Sequence, residues 1–178
     1  LRFFAITLLL IASSLLARAA NSPTLPSPWK SQDIGDVTVA GSANAEKGVF
    51  TLNGTRDIWG ANDGCHFAWQ TLTGDGAITA RVLSVEQTQN HAKGGLSIRE
   101  SLKSGSRHAT MVVTPTDGAQ FLSRIKANEL TTSQKTGLNK GVMPYWLKLE
   151  RIGNQFTGYE STDGKDWIQT GTIALKLP

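Results

Sequence analysis

Only one cysteine, Cys65, occurs in 178 residues, so no intramolecular disulfide can staple this chain, and there is no C-x-x-C cluster for zinc. Charge is scarce as well. Asp, Glu, Lys and Arg make up 18% of the chain, against an average near 25%, and the formal charge is only +4. So weak a positive balance disfavours a nucleic-acid partner. Beyond residue 28 no i, i+3, i+4, i+7 apolar pattern persists for three turns, which leaves a domain that is nearly all β. Absent motifs narrow the chemistry further. Gly95-Leu96-Ser97-Ile98-Arg99 lacks the closing glycine of a serine-hydrolase elbow. His66, His91 and His108 lie far apart and none belongs to an H-E-x-x-H, so no metal site is supported by zinc spacing. No strand carries acids at i and i+2 or i+4, the spacing that would place two carboxyls about 5 Å apart for a retaining glycosidase. Glu100, alone at the end of its strand, is the one weak catalytic candidate, with acids converging from different strands left open.

What is present begins with an apolar run. Arg2 precedes Phe3 to Leu16, and Ala17-Arg18-Ala19 supplies small residues where a signal peptidase needs them, so residues 1–19 read as a signal peptide cleaved before Ala20. Fourteen residues make a helix of about 21 Å, short of the roughly 30 Å hydrocarbon core, and no other segment is long enough to span. Losing Arg2 and Arg18 with the signal lowers the formal charge from +4 to +2. Residues 20–28, with three prolines, read as an extended linker, and the folded part runs over 29–178. The expected location is secreted, extracellular or periplasmic. A lone thiol in such a compartment is read as a small core hydrophobe.

Two-residue alternation predicts about eleven short strands: Trp29 to Ile34, Val49 to Leu52, Cys65 to Leu72, Ala77 to Val85, Gly95 to Glu100, Ala109 to Thr114, Ala119 to Ile125, Tyr145 to Ile152, Gln155 to Ser161, Asp166 to Gly171 and Ile173 to Leu177. Asn53-Gly54, Asp117-Gly118, Gly153-Asn154 and Asp163-Gly164 are among the turns between them. Such a series in one domain means a sandwich or barrel. Alternation also separates faces. Cys65, Phe67 and Trp69 oppose His66, Ala68 and Gln70; Ile78, Ala80 and Val82 oppose Thr79 and Arg81; Leu96 and Ile98 oppose Ser97 and Arg99. The polar set includes arginine, histidine and glutamine, and so reads as a candidate binding surface beside the plain solvent-facing reading.

Five tryptophans can each stack on a sugar face or fill a core. Trp69 alternates with Phe67 and reads as core, Trp29 as a strand-start anchor, and Trp167 as the cover of its hairpin. Trp146 shares the tract Pro144-Tyr145-Trp146, where one ring must face outward. Trp59, in the turn-rich segment Asp57 to Gly64, is the best exposed candidate. Asp33/Asp36, Asp57/Asp63 and Asp163/Asp166 read chiefly as turn formers, with a structural calcium ion assembled from separate loops left open.

Six ordered blocks carry a resemblance: PWKSQDIG (Pro28 to Gly35), DIWG (Asp57 to Gly60), HFAWQTLTGDGAITARV (His66 to Val82), GGLSIRES (Gly94 to Ser101), HATMVVTPTDG (His108 to Gly118) and PYWLKLERIGNQFTGYESTDGKDW (Pro144 to Trp167). Together they resemble exported bacterial domains of concanavalin A-like fold that bear the label "regulation of enolase protein", a label nothing in these residues supports. The resemblance implies a two-sheet antiparallel jelly-roll sandwich whose concave face is of the kind that binds glycans in related lectins and glucanases. It also implies strands beyond Pro178, since such domains continue, and Leu1 in place of Met suggests a fragment. The resulting expectation is a non-catalytic carbohydrate-binding or surface module. Its ligand residues would be His66, Gln70, Arg81, Ser97 and Arg99, with Trp59 at the rim, and its partner a polysaccharide or other glycan. The alternatives are a glucanase-like hydrolase using Glu100 and a passive structural or adhesive domain of a larger envelope protein. An exposed tryptophan over a polar groove favours binding, a second acid near Glu100 favours catalysis, and a salt-bridged, filled concave face favours the passive module.

Overall fold

The structure is a computed structural model that describes residues 25–138 and 140–178; the segment read as a signal peptide and residues 20–24 of the linker lie outside the described residues. Twelve strands account for its regular structure: β1 (Lys30–Ile34), β2 (Ser42–Glu46), β3 (Val49–Asn53), β4 (Cys65–Trp69), β5 (Gly76–Val82), β6 (Gly94–Arg99), β7 (His108–Thr114), β8 (Gly118–Arg124), β9 (Thr132–Gln134), β10 (Tyr145–Ile152), β11 (Gln155–Ser161) and β12 (Ile168–Ala174). All pairing is antiparallel. There are two four-stranded sheets, in the orders β12-β11-β10-β5 and β6-β7-β8-β9, and two separate two-stranded ribbons, β1-β4 and β2-β3. No helix among the described residues is long and apolar enough to cross a membrane.

The two larger sheets face each other as a sandwich because each turns one alternate set of apolar side chains inward. Leu96, Ala109, Met111, Val113, Ala119 and Phe121 come from one sheet, and Tyr145, Leu147, Leu149 and Phe156 from the other; they form a single buried cluster with Leu175 and Leu177. Burial along β10 alternates strictly from Tyr145 to Arg151, as its sequence predicts. Phe121 is wholly buried at the centre, and its truncation to alanine costs about 3 to 5 kcal/mol. The sheets approach closely there because Gly158 and Gly171, paired across β11 and β12, leave room for Phe121 and Met111.

Several expected boundaries change. The last two predicted strands are one, β12, and Leu175 and Leu177 reach the core from outside any strand while Arg151 donates to the carbonyls of Leu177 and Pro178. β4 stops at Trp69 and β5 at Val82, earlier than alternation alone implied. β2 and β9 were not expected, since Ser-Ala-Asn-Ala-Glu and Thr-Ser-Gln have no apolar alternation to reveal them. β2 exists because Lys47 and Gly48 both adopt positive φ, 51° and 81°, the geometry of a two-residue hairpin turn that locks Glu46 opposite Val49. Cys65 and Phe67 are half-buried and lie outside the sandwich core: the Phe67 ring packs under the Arg99 guanidinium, and Cys65 feels the charges of Arg99 and Asp63. Burial raises the Cys65 thiol to about 11, so it stays protonated and unreactive at neutral pH.

Candidate functional site

Register places Arg99, His108 and Arg124 in one row across β6, β7 and β8, on the face turned away from the sandwich core, with Ser97, Thr110 and Leu122 in the next row. This face is not open. His108, Thr110, Val112, Leu122 and Arg124 are all at most 1% exposed. Arg124 is the largest fully buried side chain, and Asp63, also buried, receives both of its terminal nitrogens, at 2.6 and 3.2 Å. The same guanidinium donates to the carbonyls of Gly60, Ser104, Ser106 and Glu129 and to the Thr131 hydroxyl. Arg99 meets Asp63 Oδ2, the oxygen that also accepts from Arg124 Nη1, at 3.1 Å and donates to the Ser101 and Lys103 carbonyls. One carboxylate thus compensates two cations removed from water, an arrangement helped by the carbonyls and the Thr131 hydroxyl that accept further N–H groups of the two guanidiniums. His108 stays neutral beside them. Burial is the main cause that brings its pKa down to about 4; Asp63 opposes it, and the cations of Arg124 and Arg99 add to it. Its Nδ1 meets the Thr110 hydroxyl at 2.9 Å, and that hydroxyl meets Ser97 at 2.6 Å.

The six expected ligand residues therefore do not converge. Ser97 and Arg99 lie on this buried face, and the Arg99 side chain is 4% exposed. The His66 side chain, 6% exposed, is held against Asp33 at 2.8 Å; Asp33 also accepts from the Gly41 backbone, and the histidine's bond is the main cause that lowers its pKa. Gly41 packs so closely on His66 that a side chain there would meet its Cβ at 2.5 Å, and Gly54 lies against the backbone of His66. Gln70 is exposed just past the end of β4. Arg81 is exposed on the other sheet, opposite Trp146. Alternation separated the faces of β5 and β6, but on β4 it put His66, whose side chain is nearly buried, on the open face; nor does it say that the polar faces of different strands belong to different sheets, or that one of them is covered. Glu100 is bound through both oxygens by Arg107, at 2.5 and 2.8 Å, and this pairing holds its carboxyl below the usual range. A carboxyl so held is a poor proton donor at neutral pH.

Trp59 stands apart, 47% exposed on the segment from Asp57 to Gly64. This segment is closed by Gly64 N–H to the Asp57 carbonyl at 2.8 Å, pinned at Gly60 by the Thr131 N–H and Arg124, and tied at Asp63 to the Ser104 carbonyl. Lys93 pairs with Asp57 and lies 5.8 Å from the centre of the Trp59 ring. Beside the indole is a cleft of about 490 Å³ lined by Asp36, Arg56, Asp57, Asn62, Asp63 and Ser104. Arg56 holds a positive φ of 77°, an uncommon conformation for a non-glycine residue, and Gly64 is packed against its Cβ. The cleft thus combines an exposed indole, an amide, a guanidinium only half covered and a carboxylate, Asp36, that is almost fully solvated. These are the groups that bind sugar hydroxyls directionally while an aromatic face takes the apolar side of the ring.

Sequence reasoning found Trp59 but missed Arg124 and Asp63, which set the loop's shape. Arg124 follows the alternation Gln120, Leu122, Arg124 on β8, a signal that a polar side chain shares the face of Arg99 and His108. Nothing local tells that Asp63, 61 residues earlier, closes over it. Of the acids considered for calcium, Asp33 takes His66, Asp57 takes Lys93, Asp63 two arginines, and Asp163 the N–H groups of Lys165 and Asp166, while Asp36 and Asp166 are exposed. Among the described residues no group of three His, Cys, Asp or Glu is placed to hold a metal ion. Compared with family models, with curated proteins and with solved structures, the chain has no match in any of the three.

Proposed function

We propose that this domain is a non-catalytic carbohydrate-binding surface module whose sugar site is the Trp59 cleft. The observation that carries the reading is an exposed indole on a loop fixed at several points, above a polar cleft of sugar size. A rigid loop loses little freedom on binding, so its contacts appear more fully as affinity. The resemblance to exported concanavalin A-like domains supports the same reading, and with it a jelly-roll connection of the strands, a secreted location and a glycan partner. Relative to the expectation drawn from alternation, the ligand moves from the sheet face to the loop end, because Arg99 and His66 already have partners. A glycan array probed with the domain and with Arg56→Ala and Asn62→Ala variants tests this. Retention of the same glycans by the wild type, with weaker signals from both variants, is expected.

The passive structural module is the second reading, favoured by one specific observation: the Asp63 network fills the face that a lectin-like groove would use. An array on which no glycan is retained would leave that account standing. Nothing in the geometry of Glu100 favours the hydrolase.

A further inference from the structure

The outer face of the sheet β12-β11-β10-β5 is separate from the Trp59 cleft, and its composition is unlike an ordinary solvent face. Register puts Arg81, Trp146 and Ser161 in one row across it and Thr79, Lys148, Tyr159 and Gln169 in the next. Trp167, just before β12, joins them: the Lys148 ammonium lies 4.3 Å from the centre of the Tyr159 ring and 5.0 Å from that of Trp167. The turn at Gly164 backs the Trp146 indole so closely that a methyl group added there would come within 2.9 Å of the ring. Three half-buried rings therefore share one sheet face.

Two cations stand among the rings with no ion-pair partner. Among the described residues neither Arg81 nor Lys148 forms an ion pair. Glu150, the acid on the same face, accepts from the Tyr159 hydroxyl at 3.4 Å, and Asp163 is taken up by the N–H groups of its own turn. Asp166, exposed in that turn, pairs with neither cation. A guanidinium fork and an ammonium select carboxylates, and aromatic rings select a partner with an apolar face. Two rows of such groups that together cross all four strands suit an extended polymer better than a single sugar.

We propose that this face binds a polymer of uronic acid, its carboxylates pairing with Arg81 and Lys148 and its sugar rings lying against Trp146, Tyr159 and Trp167. The inference does not rest on the Trp59 site. Affinity electrophoresis of the full chain through gels containing polygalacturonate tests it, with dextran as the uncharged sugar polymer, polyacrylate as a polyanion without sugar rings, and dextran sulfate as the sulfated one. The expected result is retardation by polygalacturonate above that by the other three. It should weaken about 10- to 100-fold in the Arg81→Gln/Lys148→Gln double variant and stay unchanged in Trp59→Ala. Trp167→Ala should weaken it as well. The double variant is the safer arm, since both of its substitutions lie on the surface of the sheet. Equal retardation by polyacrylate, a preference for dextran sulfate, full binding by the double variant, loss of binding in Trp59→Ala, or no retardation by polygalacturonate would each overturn the proposal.

Discussion

Asp63 compensates two buried guanidinium groups at once, which makes it the residue on which this end of the molecule most depends. Removing one partner from a buried ion pair leaves an uncompensated charge and costs about 3 to 5 kcal/mol. Asp63→Ala should therefore lower the midpoint of thermal unfolding by roughly 6 to 20 °C, read by calorimetry or circular dichroism. By contrast Glu100→Ala breaks a pair near the surface and should cost no more than about 1 kcal/mol. His108 gives the pH dependence. Its folded pKa is about 4 against an ordinary 6.5, so the unfolded chain binds more protons between those values, and stability rises with pH there. The contribution is fully present above pH 6.5 and is lost on acidification toward pH 4, on the order of 3 kcal/mol over the window. His108→Asn should flatten that slope when denaturant midpoints are measured across the range. A slope as steep as the wild type's would place its cause elsewhere. At this scale the sequence was half legible: alternation assigned Arg99 to a polar face, but the acid that buries it comes from a loop no local pattern connects to β6.

Strand positions were more legible than strand partners. Long alternating segments such as Tyr145 to Ile152 appear within their predicted bounds because burial on one face enforces a period of two. Short strands exist for other reasons, the Lys47-Gly48 turn in the case of β2 and pairing with β8 in the case of β9, and leave no apolar trace. The spacing between the main sheets depends on Gly158, where a Cβ would run into the Met111 sulfur and meet the Phe121 ring at 2.5 Å. Gly158→Val should overpack the sandwich by about 1 to 3 kcal/mol, a fall of roughly 2 to 12 °C in the unfolding midpoint. An unchanged midpoint would mean that the sheets separate without cost. That two glycines on neighbouring strands make this approach was not readable beforehand, since it is a property of two sheets and not of either strand.

As a whole, the molecule uses its buried arginine network to hold a loop in place and presents an indole at the loop's exposed turn. Composition and alternation were enough to indicate an all-β domain and to single out Trp59. They could not reveal that the face first expected to bind is filled, because coverage depends on contacts between segments far apart in sequence. The division of labour, with Asp63 and the arginines for structure and Trp59 for ligand, is tested most directly by titration calorimetry of Trp59→Ala against the glycan that the array identifies, at a temperature where the wild type and the variant are both folded. The account predicts an affinity about 10- to 100-fold weaker, some 1.4 to 2.7 kcal/mol, with an unfolding midpoint close to that of the wild type. An affinity equal to that of the wild type would contradict it.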